Sequence, residues 1–249
     1  MKRTDLIPLV SFLSRRPGPM LGVLLLLFTV AAARAQDAAA TPAVAPEPPP
    51  QTVERAAAAL SVSDAERLLS ELGYWTGKVD GRLDPATRHA IMAFQKVEGL
   101  KRTGVLTPAV LERLRSASAP TPKFSGGPHI EVDISRQVLF VVDAGGRVSL
   151  IVPVSTGNGK RYFDKSKNAW DVAVTPRGEF RIERKFNGTR EAPLGSLYFP
   201  SYFKEGWAVH GSASIPPRPA SHGCVRVPRG ADQKLFKLMP VGMKIYLYD

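Results

Sequence analysis

Trp207-Ala-Val-His210-Gly211-Ser-Ala-Ser-Ile-Pro-Pro-Arg-Pro-Ala-Ser221-His222-Gly223-Cys224-Val-Arg226 is the stretch on which the reading of this chain turns. A Pro-rich loop joins a histidine at a strand end to the chain's single cysteine, fourteen residues later. A thiol attacks carbonyl carbon only as thiolate, so it needs a base or a cation within hydrogen-bond reach, and two of the four histidines fall inside this window. Gly223 before the cysteine permits a tight turn that can aim amides at a developing oxyanion. A lone thiol is equally compatible with a buried apolar residue that has no chemistry, so its neighbours decide.

Outward from that window the chain reads as β-rich. Ile130, Val132 and Ile134 alternate with polar residues, Val138 to Val142 is a continuous apolar run, and Val148, Leu150 and Val152 alternate after a turn at Asp143 to Gly146. Further strands are expected at Asp171 to Val174, Glu179 to Ile182, Trp207 to Val209 and Lys244 to Tyr248, with one helix at Ala231 to Leu238 whose Leu235 and Leu238 face inward. Tyr198, Phe199, Tyr202, Phe203 and Trp207 form an aromatic cluster suited to core packing or to walling a pocket.

Upstream, residues 54–115 read as three short helices. Ser63 with Glu66 forms a capping box ahead of Leu68, Leu69 and Leu72; Asp84 before Pro85 and Thr107 before Pro108 are the next two N-caps. The flanking segments 36–53 and 116–127 are rich in Ala, Pro and Ser and poor in large apolar residues, which predicts tethers. Residues 1–35 read as an export signal, with Lys2, Arg3, Arg15 and Arg16 ahead of an apolar run and cleavage expected after Ala35. The run from Leu21 to Ala33 is short of the roughly 20 residues that span a bilayer. Contact with membrane is therefore expected only during export, to a periplasm or cell wall.

Lys plus Arg outnumber Asp plus Glu by 34 to 22, and from residue 128 onward by 18 to 11. A basic surface concentrates polyanions, whether nucleic acid, anionic lipid or an acidic wall polymer; charge alone does not choose among them, although nucleic acid is a poor candidate for an exported chain.

Two resemblances give these features a common meaning. The pattern from Leu72-Gly73-Tyr74 through Asp80-Gly81, Ala86-Thr87, Phe94-Gln95 and Gly99-Leu100 to Leu106-Thr107 resembles the peptidoglycan-binding domain found beside wall hydrolases. Tyr74 and Trp75 are an aromatic pair suited to stacking on sugar rings or, equally at a helix end, to core packing. The window from His210 to Arg226 resembles the signature of the YkuD family of L,D-transpeptidases, extending more weakly back to His129; Thr156 to Gly159 and Thr175 to Phe180 resemble two of its scaffold loops. The gap from His210 to Ser221 is shorter than in better-known members.

The resemblance implies a two-domain chain: a three-helix, all-α bundle at 54–115, then a mostly-β, α+β catalytic domain at 128–249 built as a curved sheet or sandwich. It implies Cys224 as nucleophile and His210 as base, with the Gly211 carbonyl orienting the imidazole; no acidic residue lies between His210 and Cys224 to do so. His222 and the amides of Gly223 and Cys224 would stabilise the oxyanion. Arg226, Ser221, Trp207 and Tyr202 would contact the stem peptide. The implied reaction is acyl transfer from a tetrapeptide stem to an acceptor amine, forming 3→3 cross-links without a cofactor, and acylation by carbapenems follows from the same thiol. L,D-carboxypeptidase activity, an inactive wall-binding adaptor and a zinc hydrolase using His210, His222 and Cys224 are the competing readings. The last lacks a fourth ligand and a separate Glu base at familiar spacing.

Overall fold

The apolar run Val138–Val142 explains the architecture, because every residue in it is buried and alternate side chains enter different cores. A computed structural model describes residues 61–249; the expected export signal and the 36–53 tether lie outside the described residues. Three helices come first, α1 (Val62–Glu71), α2 (Pro85–Val97) and α3 (Pro108–Ser116). There follow β1 (His129–Asp133), β2 (Val138–Val142), β3 (Val148–Pro153), β4 (Arg161–Asp164), β5 (Ala169–Val172), β6 (Gly178–Arg181), β7 (Arg184–Lys185) and β8 (Thr189–Arg190). The chain closes with β9 (Leu197–Lys204), β10 (Trp207–Ser212), β11 (Val225–Pro228), α4 (Ala231–Leu238) and β12 (Lys244–Tyr248).

One sheet runs β3-β2-β1-β12-β6, with β1 parallel to β12; a second runs β11-β10-β9-β7, with β8 on β9 and β10 parallel to β11. Strands β4 and β5 form a separate hairpin. Leu139 and Val141 of β2 join Ile130, Val152, Ile245, Phe203, Val209, Val225 and Leu235 in the core between the sheets and α4. Val138 and Phe140 point the other way and join Ile151 with Leu69, Ile91, Phe94 and Leu114 of the helices. A strand buried on both faces loses its polar alternation, which is why β2 reads as an unbroken apolar run.

The helices therefore share a core with the sheet, and backbone bonds seal the join. Trp75 N donates to Ile151 O at 3.0 Å and Ile151 N to Gly73 O at 2.8 Å, so the chain after α1 covers the edge of β3. Lys96 of α2 is 1% exposed, and its ammonium donates to the carbonyls of Gln137 and Val154 at 3.0 and 2.9 Å. Burial pulls its pKa down to about 7.

The segment expected as a second tether is also held. Lys123 N and Phe124 N donate to the Glu131 carboxylate at 3.0 and 2.7 Å, and Phe124 stacks on Tyr246 with centroids 4.3 Å apart.

The N-caps Asp84 and Thr107 form as read, but α1 is capped by Ser61 with Asp64 as its capping box. Glu66 has a different role: fully buried, it accepts from Asp80 N (3.0 Å), Gly81 N (2.8 Å) and Thr87 Oγ1 (2.6 Å), closing the loop between α1 and α2. Tyr74 is buried edge-on to Phe94 and presents no face to a sugar. Leu238 is exposed, α4 burying Ala231, Asp232 and Leu235 instead.

Removing the Glu66 carboxylate leaves the amides of Asp80 and Gly81 and the Thr87 hydroxyl without this acceptor. Glu66→Ala is expected to lower the unfolding free energy by about 3 kcal/mol, read from urea denaturation, with Glu66→Gln recovering part of the loss. An unchanged midpoint would contradict this role.

Candidate active site

The parallel ladder of β10 and β11 pairs Val209 with Val225 and His210 with Arg226, so Cys224 enters one residue ahead of the strand that lies beside His210. Parallel neighbours need a crossover, which here is the Pro-rich loop. Its return is pinned at Ser221, 1% exposed. The Ser221 amide donates to Thr156 O at 2.9 Å, and its carbonyl accepts from Asn158 N at 3.1 Å. Its Oγ donates to Cys224 O at 2.6 Å and accepts from Gly223 N at 3.0 Å. Ser221 thus builds the turn under the thiol, and its hydroxyl is committed there.

Gly223 has φ 136°, and a Cβ there would meet Trp207 Nε1 at 2.6 Å and Val174 O at 2.8 Å. Its carbonyl accepts from Thr175 Oγ1 at 2.6 Å, while Trp207 Nε1 donates to Val174 O at 3.0 Å. The expectation that the Gly223 amide faces an oxyanion is corrected by its bond to Ser221. Glycine is required here by backbone angle and close approach.

His210 is 7% exposed, with Nδ1 2.8 Å from the carbonyl of Gly211. A carbonyl only accepts, so in the neutral ring Nδ1 carries the proton and Nε2 is left as the base. Beneath Gly211 sits the buried carboxylate of Asp232, which a Cβ at position 211 would overlap. Asp232 Oδ1 accepts from Gly230 N and Gln233 N at 2.9 and 2.8 Å, and Arg229 Nε lies 3.3 Å from Oδ2.

Cys224, His210, His222, Arg226, Trp207, Tyr198, Tyr162 and Asp171 line one cleft of about 580 Å³. Burial drives the His210 pKa down to about 4, with the positive Arg226 adding to the fall and the Gly211 carbonyl opposing it. Burial also raises the Cys224 thiol, against the pull of the Ala208 amide and Arg226. At neutral pH the pair therefore rests as thiol and neutral imidazole. The Sγ proton points to Gly206 O at 3.7 Å. Such a pair can deprotonate sulfur as it attacks and return the proton to a leaving amine.

The remaining candidates divide. His222 is exposed on the cleft and meets Tyr162 of β4 edge to face, centroids 4.6 Å apart. Among the described residues, the half-buried Arg226 guanidinium has neither a hydrogen bond nor an ion pair, leaving its charge for the cleft. Tyr202 is not a wall of the cleft: it is 4% exposed, packs with Leu197, Ala208 and Cys224, and lies under Arg184 at 3.6 Å. Tyr162, Thr175, Asp232 and Gln137 were not anticipated in these positions. Of these only Thr175 lay within a motif. Among the described residues no three His, Cys, Asp or Glu side chains gather as metal ligands.

The family model described as the L,D-transpeptidase catalytic domain matches residues 127–247, and a peptidoglycan binding domain model matches 59–114. The crystal structure of an L,D-transpeptidase from Xylanimonas cellulosilytica is 41% identical over 76% of this chain and 94% of its own, with a TM-score of 0.72. The chain is 46% identical over 59 residues to the localization factor PodJL of Caulobacter vibrioides and 38% identical over 69 residues to the N-acetylmuramoyl-L-alanine amidase CwlM of Mycobacterium tuberculosis. The match takes in 24% and 27% of this chain and only 6% and 16% of theirs.

A histidine that folds neutral and unfolds protonatable loses stability as pH falls from its ordinary value near 6.5 toward about 4. Below pH 6.5 the unfolded chain binds a proton that the fold refuses. His210→Gln is therefore expected to flatten this part of the acid limb, with the melting temperatures of parent and variant converging or crossing between pH 6.5 and 4. Parallel profiles would show that His210 is not buried neutral.

Proposed function

The chain belongs to the L,D-transpeptidase family, and on that premise we propose that it joins peptidoglycan stems through an acyl-enzyme on Cys224. The observation that supports this reading most is that the thiol and an imidazole line one cleft, the imidazole Nδ1 already held by the Gly211 carbonyl. Cys224 Sγ attacks the carbonyl between the third stem residue and the terminal D-alanine, and His210 Nε2 takes the thiol proton. Collapse of the tetrahedral adduct breaks the amide, His210 returns the proton to the departing alanine amine, and a thioester remains.

An acceptor amine then attacks the thioester, giving up a proton to His210. The thiolate leaves and recovers it, and the new amide is a 3→3 cross-link. Water in place of the amine makes the net reaction an L,D-carboxypeptidation. His222 and the Cys224 amide are the donors proposed for the oxyanion, since the Gly223 amide is held by Ser221. Arg226 is proposed to receive a stem carboxylate, and Trp207 to form part of the donor wall. The same attack on a strained β-lactam carbonyl would leave a carbapenem on Cys224. We place this chemistry in the periplasm or cell wall, with the helical segment contributing affinity for peptidoglycan.

Mass spectrometry of products from disaccharide-tetrapeptide tests the reading. The mature chain is expected to yield 3→3 dimers, Cys224→Ala none, and His210→Ala at least about 100-fold fewer per unit time. Tripeptide alone would reassign the chain as a carboxypeptidase; an unchanged substrate with retained binding to sacculi would favour the adaptor.

A further inference from the structure

A lysine on a wall-binding helix gains nothing from burial unless its position matters to what lies around it. Lys96 is the most buried of the charged residues at the join between helices and sheets, and among the described residues no carboxylate pairs with it. Both of its acceptors are backbone carbonyls of the catalytic domain, and both belong to segments that lead to the catalytic turn. Gln137, in the left-handed region at φ 63°, is fully buried. Its Oε1 accepts from Thr156 N at 2.9 Å, and its Nε2 donates to Thr156 Oγ1 at 2.6 Å. The second acceptor, Val154, lies two residues before Thr156.

Thr156 O in turn receives the amides of Ala220 and Ser221, both at 2.9 Å, and Ser221 Oγ grips the Cys224 carbonyl. An unbroken run of hydrogen bonds thus leads from α2 to the nucleophile. A second hold is independent of it: Arg102, beyond α2, donates to Pro217 O at 3.4 Å in the loop between His210 and Ser221, and to Ser135 O at 3.3 Å.

We propose that Lys96 is a positioning residue for the acyl transfer, acting through Gln137 and Thr156 on the Ser221–Cys224 turn, so that the peptidoglycan-binding helices are a working part of the active site. The inference rests on the reading of Cys224 as an acyl carrier. It makes the helical segment more than a targeting device: anything that shifts α2 shifts the thiol relative to His210.

The test uses the full mature chain and a carbapenem, with acylation of Cys224 followed to saturation alongside the melting temperature. Lys96→Met removes the donors at similar volume; deleting a buried charge offsets the donor withdrawn from Val154 O, so the chain should fold with a melting temperature near the parent's. The limiting acylation rate should nonetheless fall at least about tenfold while the half-saturating concentration stays within about twofold. Thr156→Val, nearly isosteric, should reproduce the loss, and the double variant should lose little more than either alone. A folded Lys96→Met with the parent's limiting rate, or losses that multiply in the double variant, would overturn the proposal. Should Lys96→Met not fold, Thr156→Val decides by the same two constants. No adduct on the parent chain would instead sink the acyl-enzyme reading on which the proposal stands.

Discussion

The parallel pairing of β10 with β11 is the constraint from which the site follows. Two parallel neighbours cannot be joined by a tight turn, so the chain must travel out from Ser212 and come back to Cys224 in the same direction. The return has to be fixed by something other than the ladder. Ser221 supplies that, with its amide, carbonyl and hydroxyl all engaged. Two departures from ordinary sequence are then forced: Gly223 by its backbone angle and the Trp207 ring, Gly211 by the Asp232 carboxylate beneath it.

The electrostatics of the cleft favour a neutral resting pair. Burial disfavours both the imidazolium and the thiolate, and Arg226 lowers both pKa values without reversing the order of the two groups. A thiol that stays protonated until substrate arrives is protected from oxidation, because thiolate is the form that oxidants attack. On the proposed mechanism the chain gives up a preformed nucleophile, and His210 would remove the proton as the bond forms.

Much of this was legible in the residues. The Asp84-Pro85 and Thr107-Pro108 caps, the three-strand meander and the limits of α4 and β12 follow from local chemistry and form as read. Ser61 rather than Ser63 caps α1 because Glu66 is drawn into a tertiary loop closure that no local pattern encodes. Strand β9 was read only as an aromatic cluster, its alternation hidden because most of its residues are buried. The roles of Gln137, Tyr162 and Asp232 depend on long-range packing and carry no motif. Arg226, by contrast, was visible in the signature and lines the cleft.

The helices and sheets form one body because β2 is apolar on both faces and β3 offers its edge to Gly73 and Trp75. On the proposed function, peptidoglycan bound by the helical segment would sit on the same body as the thiol. The covalent intermediate is the claim on which the account stands or falls. Acid-quenched intact-protein mass spectrometry of the mature chain, mixed with disaccharide-tetrapeptide and no acceptor, observes it directly. The account predicts a mass gain equal to the substrate less alanine, mapping to Cys224; turnover to tripeptide without any such adduct would contradict it.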